Sequence, residues 1–212
     1  MSPAPKSNPY PRRLERAREL AGLYPFARQI LEIYQEIAAF QGEVYDRGRL
    51  LPGGTEELRG RVARVNAEAA KDVALLERAV AQALAEGEPA GAAGEPHTVC
   101  PACGSRPVVG VLREQAHGAR RSLICARCST EWDFPRVACA GCGYSELEIY
   151  ISEQITNVRL EVCPECRVYL KTVDLTRNAL AVPIVDEIAT IPLDLWAQER
   201  GYRKLEVNLL GL

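Results

Sequence analysis

All eight cysteines of this chain occur as Cys-x-x-Cys pairs, and all of them lie between residues 100 and 166. The pairs are Cys100 and Cys103, Cys125 and Cys128, Cys139 and Cys142, and Cys163 and Cys166. Two thiolates at this spacing can bind one tetrahedral metal ion from a tight turn, and two such pairs complete a four-thiolate shell. The pattern therefore predicts two four-cysteine sites, for zinc or for rubredoxin-type iron.

The two halves of the cysteine region repeat, and the repeat indicates how the pairs combine. Cys100-Pro-Ala-Cys-Gly is similar to Cys139-Ala-Gly-Cys-Gly, and Leu123-Ile-Cys-Ala-Arg-Cys is similar to Glu161-Val-Cys-Pro-Glu-Cys. A supersecondary unit used twice predicts tandem sites, rather than a cross-brace of the first pair with the third. The predicted ligands are Cys100, Cys103, Cys125 and Cys128 in the first site, and Cys139, Cys142, Cys163 and Cys166 in the second.

Disulfides and thioredoxin-like redox chemistry are the other common uses of paired cysteines. The first residues, Met1 to Lys6, contain no apolar stretch typical of a signal peptide, and no window approaches the ~18 apolar residues of a membrane span. We therefore expect a cytoplasmic protein without a membrane partner, and structural disulfides are rare in the cytoplasm. A thioredoxin-like motif needs one Cys-x-x-Cys within a βαβ unit, and no such alternation surrounds these pairs.

The charge balance gives no support for binding to nucleic acid. The chain has 26 Lys and Arg against 28 Asp and Glu, and its net charge is −2. A nucleic-acid-binding ribbon is expected to have a basic surface. Arg120 and Arg121 are adjacent and are expected in a solvated turn. His97 and His117 lack metal-ligand spacing to any cysteine pair.

Helical patterns precede the cysteines. A short helix is predicted over 12–23, and a second helix begins near Pro25. A third helix is predicted from an N-cap at Thr55 to a stop at Gly87. The apolar seam of the second helix contains Phe26, Ile30, Ile33, Ile37, Phe40 and Val44.

Short β-rich runs flank the cysteine pairs, and a further helical pattern follows them. The predicted strands are Val108–Leu112, Ser122–Ile124, Glu148–Ile151, Val158–Val162 and Tyr169–Val173. The C-terminal helix, over 182–202, should be kinked or divided at Pro192. The fold class is therefore α+β: an N-terminal α-helical domain, two tandem rubredoxin- or zinc-ribbon-like β modules and a C-terminal helix.

The predicted boundaries follow these patterns and the composition. They are an irregular arm over 1–11, a helical domain over 12–86, a linker over 87–96, a first four-cysteine ribbon over 97–137, a second over 138–181, and a C-terminal helix and tail over 182–212.

Several ordered blocks of the sequence resemble the formate dehydrogenase accessory proteins of the FdhE family. The blocks are Cys100-Pro-Ala-Cys-Gly-Ser-Arg-Pro-Val108, Leu123-Ile-Cys-Ala-Arg-Cys-Ser-Thr-Glu-Trp132, Arg136-Val-Ala-Cys-Ala-Gly-Cys142, Glu161-Val-Cys-Pro-Glu-Cys-Arg-Val-Tyr-Leu-Lys171 and Asp186-Glu-Ile-Ala-Thr-Ile-Pro-Leu-Asp194 with Glu199-Arg-Gly-Tyr202. The segment 16–41 is more distantly similar to the first helices of the family. Arg167 stands where family members tend to have glycine, and the helical region is shorter than expected for the family.

The resemblance implies a cytoplasmic protein with rubredoxin-like sites that acts on the catalytic subunit of a respiratory formate dehydrogenase during its maturation. Such proteins do not themselves oxidise formate, and the resemblance implies a redox role for their iron. The residues alone leave open an electron-transfer protein with rubredoxin-type iron, or a zinc-ribbon protein that binds nucleic acid. They show no nucleophile with a histidine and an acid, and no phosphate-binding glycine-rich loop, so we predict no catalytic residues.

Overall fold

Helices pack against a mixed β-sheet in the computed structural model, which describes residues 7–86, 97–116 and 118–211. The helices are α1 (Tyr10–Leu23), α2 (Arg28–Arg47), α3 (Gly54–Val65), α4 (Val73–Ala85), α5 (Pro183–Ala189) and α6 (Ile191–Glu199). The strands are β1 (Pro107–Gln115), β2 (Gly118–Cys125), β3 (Glu131–Asp133), β4 (Glu148–Ile151), β5 (Val158–Val162), β6 (Val168–Asp174) and β7 (Arg203–Lys204). The α+β class is confirmed, with helices before and after the cysteine region.

The seam of the second helix is buried, except at its start. Ile33, Ile37, Phe40 and Val44 are in the core, as predicted. Phe26 is 54% exposed, because residues Pro25–Ala27 form a separate 3-10 turn before α2 begins. The prediction that Phe26 belongs to the buried seam is therefore wrong.

The prediction of a single third helix is also wrong, because the chain leaves the helical conformation at Asn66. Asn66 is extended, and its side-chain oxygen accepts a hydrogen bond of 2.9 Å from the Ala69 backbone N–H. Asp72 then caps α4 by accepting a bond of 2.9 Å from the Leu75 N–H. Asn and Asp side chains compete in this way with the helical backbone, and here they divide one apolar pattern into two helices.

Helix ends differ from the predictions by a few residues. The first helix begins at Tyr10, where the Asn8 side chain accepts a hydrogen bond of 2.9 Å from the Tyr10 N–H. The third begins at Gly54, so Thr55 lies inside the helix and is not its N-cap. The predicted stop at Gly87 lies outside the described residues, as does the predicted linker over 87–96.

The strands of the described residues form one seven-stranded sheet with the order β3-β2-β1-β6-β5-β4, and β7 also pairs with β6. All five predicted strands are confirmed. Strands β3 and β7 were not predicted, because their sequences, Glu-Trp-Asp and Arg-Lys, are mostly charged and contain no β-branched residue.

The sheet contains one supersecondary unit twice. Strands β1, β2 and β3 form the first ribbon, and β4, β5 and β6 form the second. The ribbons join where β1 runs parallel to β6, with Gly110 opposite Thr172. A Cβ atom at Gly110 would lie 2.3 Å from the Thr172 Oγ1 atom, so this junction requires glycine.

The C-terminal helical segment is divided near Pro192, as predicted. Helix α5 ends at Ala189 and α6 begins at Ile191, so Pro192 occupies the first turn of α6. Both helices cover the sheet. The carboxylates of Glu187 and Asp194 reach the buried ammonium group of Lys171 on β6, at 3.0 and 2.5 Å.

One hydrophobic core includes side chains from the N-terminal helices, the sheet and the C-terminal helices. Arg16 on α1 pairs with Asp186 on α5 at 2.6 Å, and both side chains are buried. The helices before the cysteines therefore pack directly on the elements that follow them. The domain boundaries remain predictions from the sequence.

Candidate metal sites

The eight cysteines form two separate groups of four sulfur atoms. Within each group all Sγ atoms lie within 4.8 Å of one another. In the first site the Sγ atoms are 3.6 Å apart for Cys100 and Cys128, and 3.4 Å apart for Cys103 and Cys125. In the second site Cys139 and Cys166 are 3.7 Å apart, as are Cys142 and Cys163. The tandem grouping of the cysteines is confirmed.

These separations fit a tetrahedral metal site. Four sulfurs at ~2.3 Å from a central ion are ~3.8 Å from one another, close to the observed contacts. A disulfide would need ~2.05 Å between the two sulfurs. The donor set, four thiols around one point, suits zinc or iron.

Each Cys-x-x-Cys pair forms the same turn, which we call a knuckle. The backbone N–H of its first cysteine donates to the carbonyl oxygen five residues later. The four bonds are Cys100 to Ser105 (2.8 Å), Cys125 to Thr130 (3.0 Å), Cys139 to Tyr144 (2.7 Å) and Cys163 to Val168 (2.8 Å). The repeated bond folds each turn so that both sulfurs point to one side.

The residue after the second cysteine has a positive φ in every knuckle. The angles are 74° for Gly104, 53° for Ser129, 80° for Gly143 and 57° for Arg167. Glycine adopts this conformation without steric cost, whereas serine and arginine do not. Arg167 therefore has the same knuckle geometry as Gly104 and Gly143 although it carries a side chain. Its guanidinium group lies 4.1 Å from the centre of the Tyr202 ring and donates to the Arg200 carbonyl at 2.6 Å.

Backbone N–H groups point at three of the sulfurs. They are Ala102 to Cys100 (3.4 Å), Arg127 to Cys125 (3.3 Å) and Gly141 to Cys139 (3.3 Å). Such donors favour thiolate over thiol. Burial disfavours the Cys103 thiolate, but hydrogen bonds from Ser105 and the neighbouring cysteines outweigh it and lower the pKa of Cys103 to about 7. Burial raises the pKa of Cys125.

The two sites differ in exposure. In the first site Cys103 is half-buried and the other three cysteines are buried, whereas in the second site Cys142 is exposed. Trp132 packs in the hydrophobic cluster that contains cysteines of both sites, and it donates its indole N–H to the His97 carbonyl oxygen at 2.8 Å. The imidazole of His97 is not in either sulfur group, and His117 lies outside the described residues.

Arg121 has a structural role that its local sequence does not indicate. It was expected in a solvated turn, but its side chain is fully buried. It forms an ion pair with the Glu161 carboxylate, and its Nη1 donates to the carbonyl oxygens of Pro135 and Ala138, both at 2.9 Å. Adjacent residues on a strand face opposite sides of the sheet, so Arg120 points to solvent while Arg121 points inward. Arg121 thereby links the first ribbon to the second beside the second site.

Comparisons with known proteins agree with this geometry. The sequence-family model of the FdhE central domain matches residues 99–136, and that of the FdhE C-terminal domain matches residues 137–210. Together the two models run without a gap over more than half of the chain. The chain belongs to the FdhE family.

Individual FdhE proteins match about half of this chain. An FdhE homolog of Aquifex aeolicus is 41% identical over 117 residues, which is 53% of this chain and 41% of that protein. One of Pseudomonas aeruginosa is 35% identical over 124 residues, or 55% of this chain and 40% of that protein. The matches thus span about two fifths of the length of these FdhE relatives.

A solved structure extends the likeness to the helices. The crystal structure of the FdhE protein from Pseudomonas aeruginosa superposes with a TM-score of 0.77, over 97% of each chain. At 23% identity this shows that the two proteins share a fold. In the part of the chain that the structure describes, no helix combines the length and the apolar character needed to cross a membrane.

Proposed function

We propose that this FdhE protein is an accessory factor that binds the catalytic subunit of a formate dehydrogenase and supports its assembly or activation. The observation that carries the proposal is the pair of four-cysteine clusters within the two FdhE domains. The proposed partner comes from what is known of the family that the sequence resembles. In this proposal the chain does not oxidise formate itself, binds neither nucleic acid nor membrane, and acts in the cytoplasm, where paired thiols stay reduced.

We further propose that each cluster holds one metal ion, either iron or zinc. Cys100, Cys103, Cys125 and Cys128 would hold the first ion, and Cys139, Cys142, Cys163 and Cys166 would hold the second. Bound iron would supply one-electron chemistry, whereas bound zinc would stabilise the fold. The residues themselves contribute the four sulfur ligands and the N–H donors that favour their thiolate form.

A second candidate function is electron transfer through rubredoxin-type iron. The exposure of Cys142 favours it, because an exposed sulfur ligand offers a short path for electrons to a partner. An absorption spectrum of aerobically purified protein distinguishes the two metals, since ferric thiolate sites absorb visible light and zinc sites do not.

The partner proposal is tested by capture. The full chain is immobilised under reducing, metal-replete conditions and exposed to the catalytic subunit of a formate dehydrogenase, with serum albumin as the matched bait. We expect the chain to retain the subunit, serum albumin not to retain it, and the chain alone to show no formate oxidation. No retention by the chain would contradict the accessory role. Electron transfer would then be the favoured function if the metal proved to be iron.

A further inference from the structure

Strand β4 is an edge of the sheet that is exposed on both faces. It is the last strand in the sheet order, and the described residues place no strand on its outer side. Ile149, Tyr150 and Ile151 are 46%, 39% and 49% exposed. An edge strand presents unpaired backbone N–H and C=O groups, and soluble proteins usually protect such an edge with charges or a cover.

The opposite edge of the sheet shows such protection. Strand β3 is three residues long, and it carries Glu131 and Asp133, which are paired with Arg113 and Arg120. Strand β4 instead carries three exposed apolar or aromatic side chains in a row. The sheet therefore has one guarded edge and one edge that is suited to pairing.

An apolar groove runs beside this unguarded edge. It has a volume of about 320 Å³ and is lined by Tyr150 and Ile151 of the strand, by Phe26 before α2 and by Trp196 of α6. The ring centres of Tyr150 and Trp196 are 4.4 Å apart. Its volume lies at the lower end of ligand-sized pockets, which are ~300–1,000 Å³. Side chains of a strand paired with β4 would enter this groove.

Acidic side chains flank the edge at both ends. Glu146 and Glu148 lie at its start, and Glu153 lies in the turn that follows it; all three are exposed. The first two accept hydrogen bonds from the Tyr144 and Tyr150 hydroxyls, and no lysine or arginine of the described residues pairs with any of the three. The nearby cations have other partners. Arg200 lies over the Trp196 ring and contacts Glu199, and Arg159, opposite Ile151 on β5, pairs with Glu161. The flanks of β4 thus complement a positively charged occupant.

The same charges disfavour a second copy of this chain as the occupant. Antiparallel pairing of β4 with itself would place Glu148 opposite Ile151 and would bring Glu146 of one copy towards Glu153 of the other. Parallel pairing would place Glu148 beside its own equivalent. Like charges that face each other across paired strands are destabilising, so the occupant is expected to be a different polypeptide.

We propose that β4 is a docking strand to which an extended segment of a partner polypeptide adds, and that this segment carries apolar side chains together with lysine or arginine. The backbone would supply the hydrogen bonds of strand addition. The groove would select the apolar side chains, and the three carboxylates would select the charge. The identity of that partner as the catalytic subunit rests on the proposed function.

The test uses the full chain and two labelled peptides. One peptide alternates valine with lysine, and the other alternates valine with glutamate, so that only the charge differs. In fluorescence anisotropy at low salt we expect binding of the lysine peptide that is at least about tenfold tighter than that of the glutamate peptide and that weakens with added salt. Glu148→Lys with Glu153→Lys should reverse this preference.

Two further variants test whether the groove itself contributes to peptide binding. Ile151→Ser should weaken binding of the lysine peptide by about tenfold, because it removes an apolar wall of the groove. Leu180→Ser changes a leucine that is 75% exposed and lies outside the groove, so it should have no effect. Circular dichroism confirms that each variant is folded. Equal affinity for both peptides, or a dimer that Ile151→Ser dissociates in light scattering, would overturn the proposal.

Capture of the catalytic subunit distinguishes this proposal from the proposed function. If the unaltered chain and the Glu148→Lys, Glu153→Lys variant retain the subunit equally, the accessory role stands and the docking strand is wrong for that partner. If the unaltered chain retains nothing, the accessory role fails, and the peptide titration still decides whether β4 docks an extended basic segment.

Discussion

At the scale of single residues, the residue after the second cysteine of each pair sets the backbone turn that holds the two sulfurs. Gly104 and Gly143 adopt positive φ freely, but Ser129 and Arg167 bear a cost of about 1–2 kcal/mol for the same conformation. Both non-glycine residues make tertiary contacts that offset this cost. Ser129 donates to the Glu86 carboxylate at 2.8 Å, at the end of α4, and Arg167 stacks on Tyr202. The second and fourth knuckles therefore also anchor the sites to neighbouring elements.

Gly104→Ala isolates the backbone part of this cost. No atom lies within 4 Å of a Cβ placed there, so the substitution should lower the free energy of unfolding by about 1–2 kcal/mol through φ alone. Gly60 in α3 is equally uncrowded and has no positive φ, so Gly60→Ala should instead stabilise by about 0.5–1 kcal/mol. Urea unfolding followed by circular dichroism measures both. Equal effects of the two substitutions would show that knuckle φ does not matter.

At the scale of elements, a buried cluster of charges holds the C-terminal helices on the sheet. Lys171 of β6 and Lys204 of β7 meet Glu187 of α5 and Asp194 of α6, and all four side chains are almost wholly buried. Burial opposes ionisation of Glu187, but the two lysines outweigh it and lower the pKa of Glu187. The stability from this carboxylate is present above its unfolded pKa and is lost as the pH falls through the lower, folded pKa.

Lys171→Met should destabilise the fold by about 3–5 kcal/mol, because it leaves two buried carboxylates with one lysine. Lys71 offers the matched control, since its ion pair with Glu68 is 71% and 82% exposed at the two side chains. Lys71→Met should change the free energy of unfolding by less than about 1 kcal/mol. Thermal or urea unfolding at neutral pH compares the two variants. A small effect of both would mean that the buried cluster contributes little to stability.

Elements with a strong local pattern could be predicted from the sequence, and elements defined by distant partners could not. The strands beside the cysteines are short runs rich in β-branched and aromatic residues that adjoin the knuckles, so their positions were predictable. The break at Asn66 was missed because the apolar spacing continues across it. Arg121 was missed because its partner Glu161 lies far along the chain and meets it only when the two ribbons pack. The exposure of Phe26 likewise depends on the turn before α2.

At the scale of the whole molecule, the repeat explains why two metal sites share one sheet. Each ribbon places its two knuckles together at one sulfur cluster, and the parallel pairing of β1 with β6 joins the ribbons side by side. Arg16 of α1 pairs with Asp186 of α5, and α5 packs on β1 and β6, so the helices contact both ribbons. Because each sulfur cluster is complete within its own ribbon, we expect each site to bind metal independently of the other.

Metal content per chain tests this account most directly. The unaltered chain, purified under reducing conditions, should contain two ions, one for each sulfur cluster. Two variants each replace four cysteines by serine. The first changes Cys100, Cys103, Cys125 and Cys128, and the second changes Cys100, Cys103, Cys139 and Cys142. Tandem sites predict one ion in the first variant and none in the second. One ion in the second variant and none in the first, or fewer than two in the unaltered chain, would contradict the account.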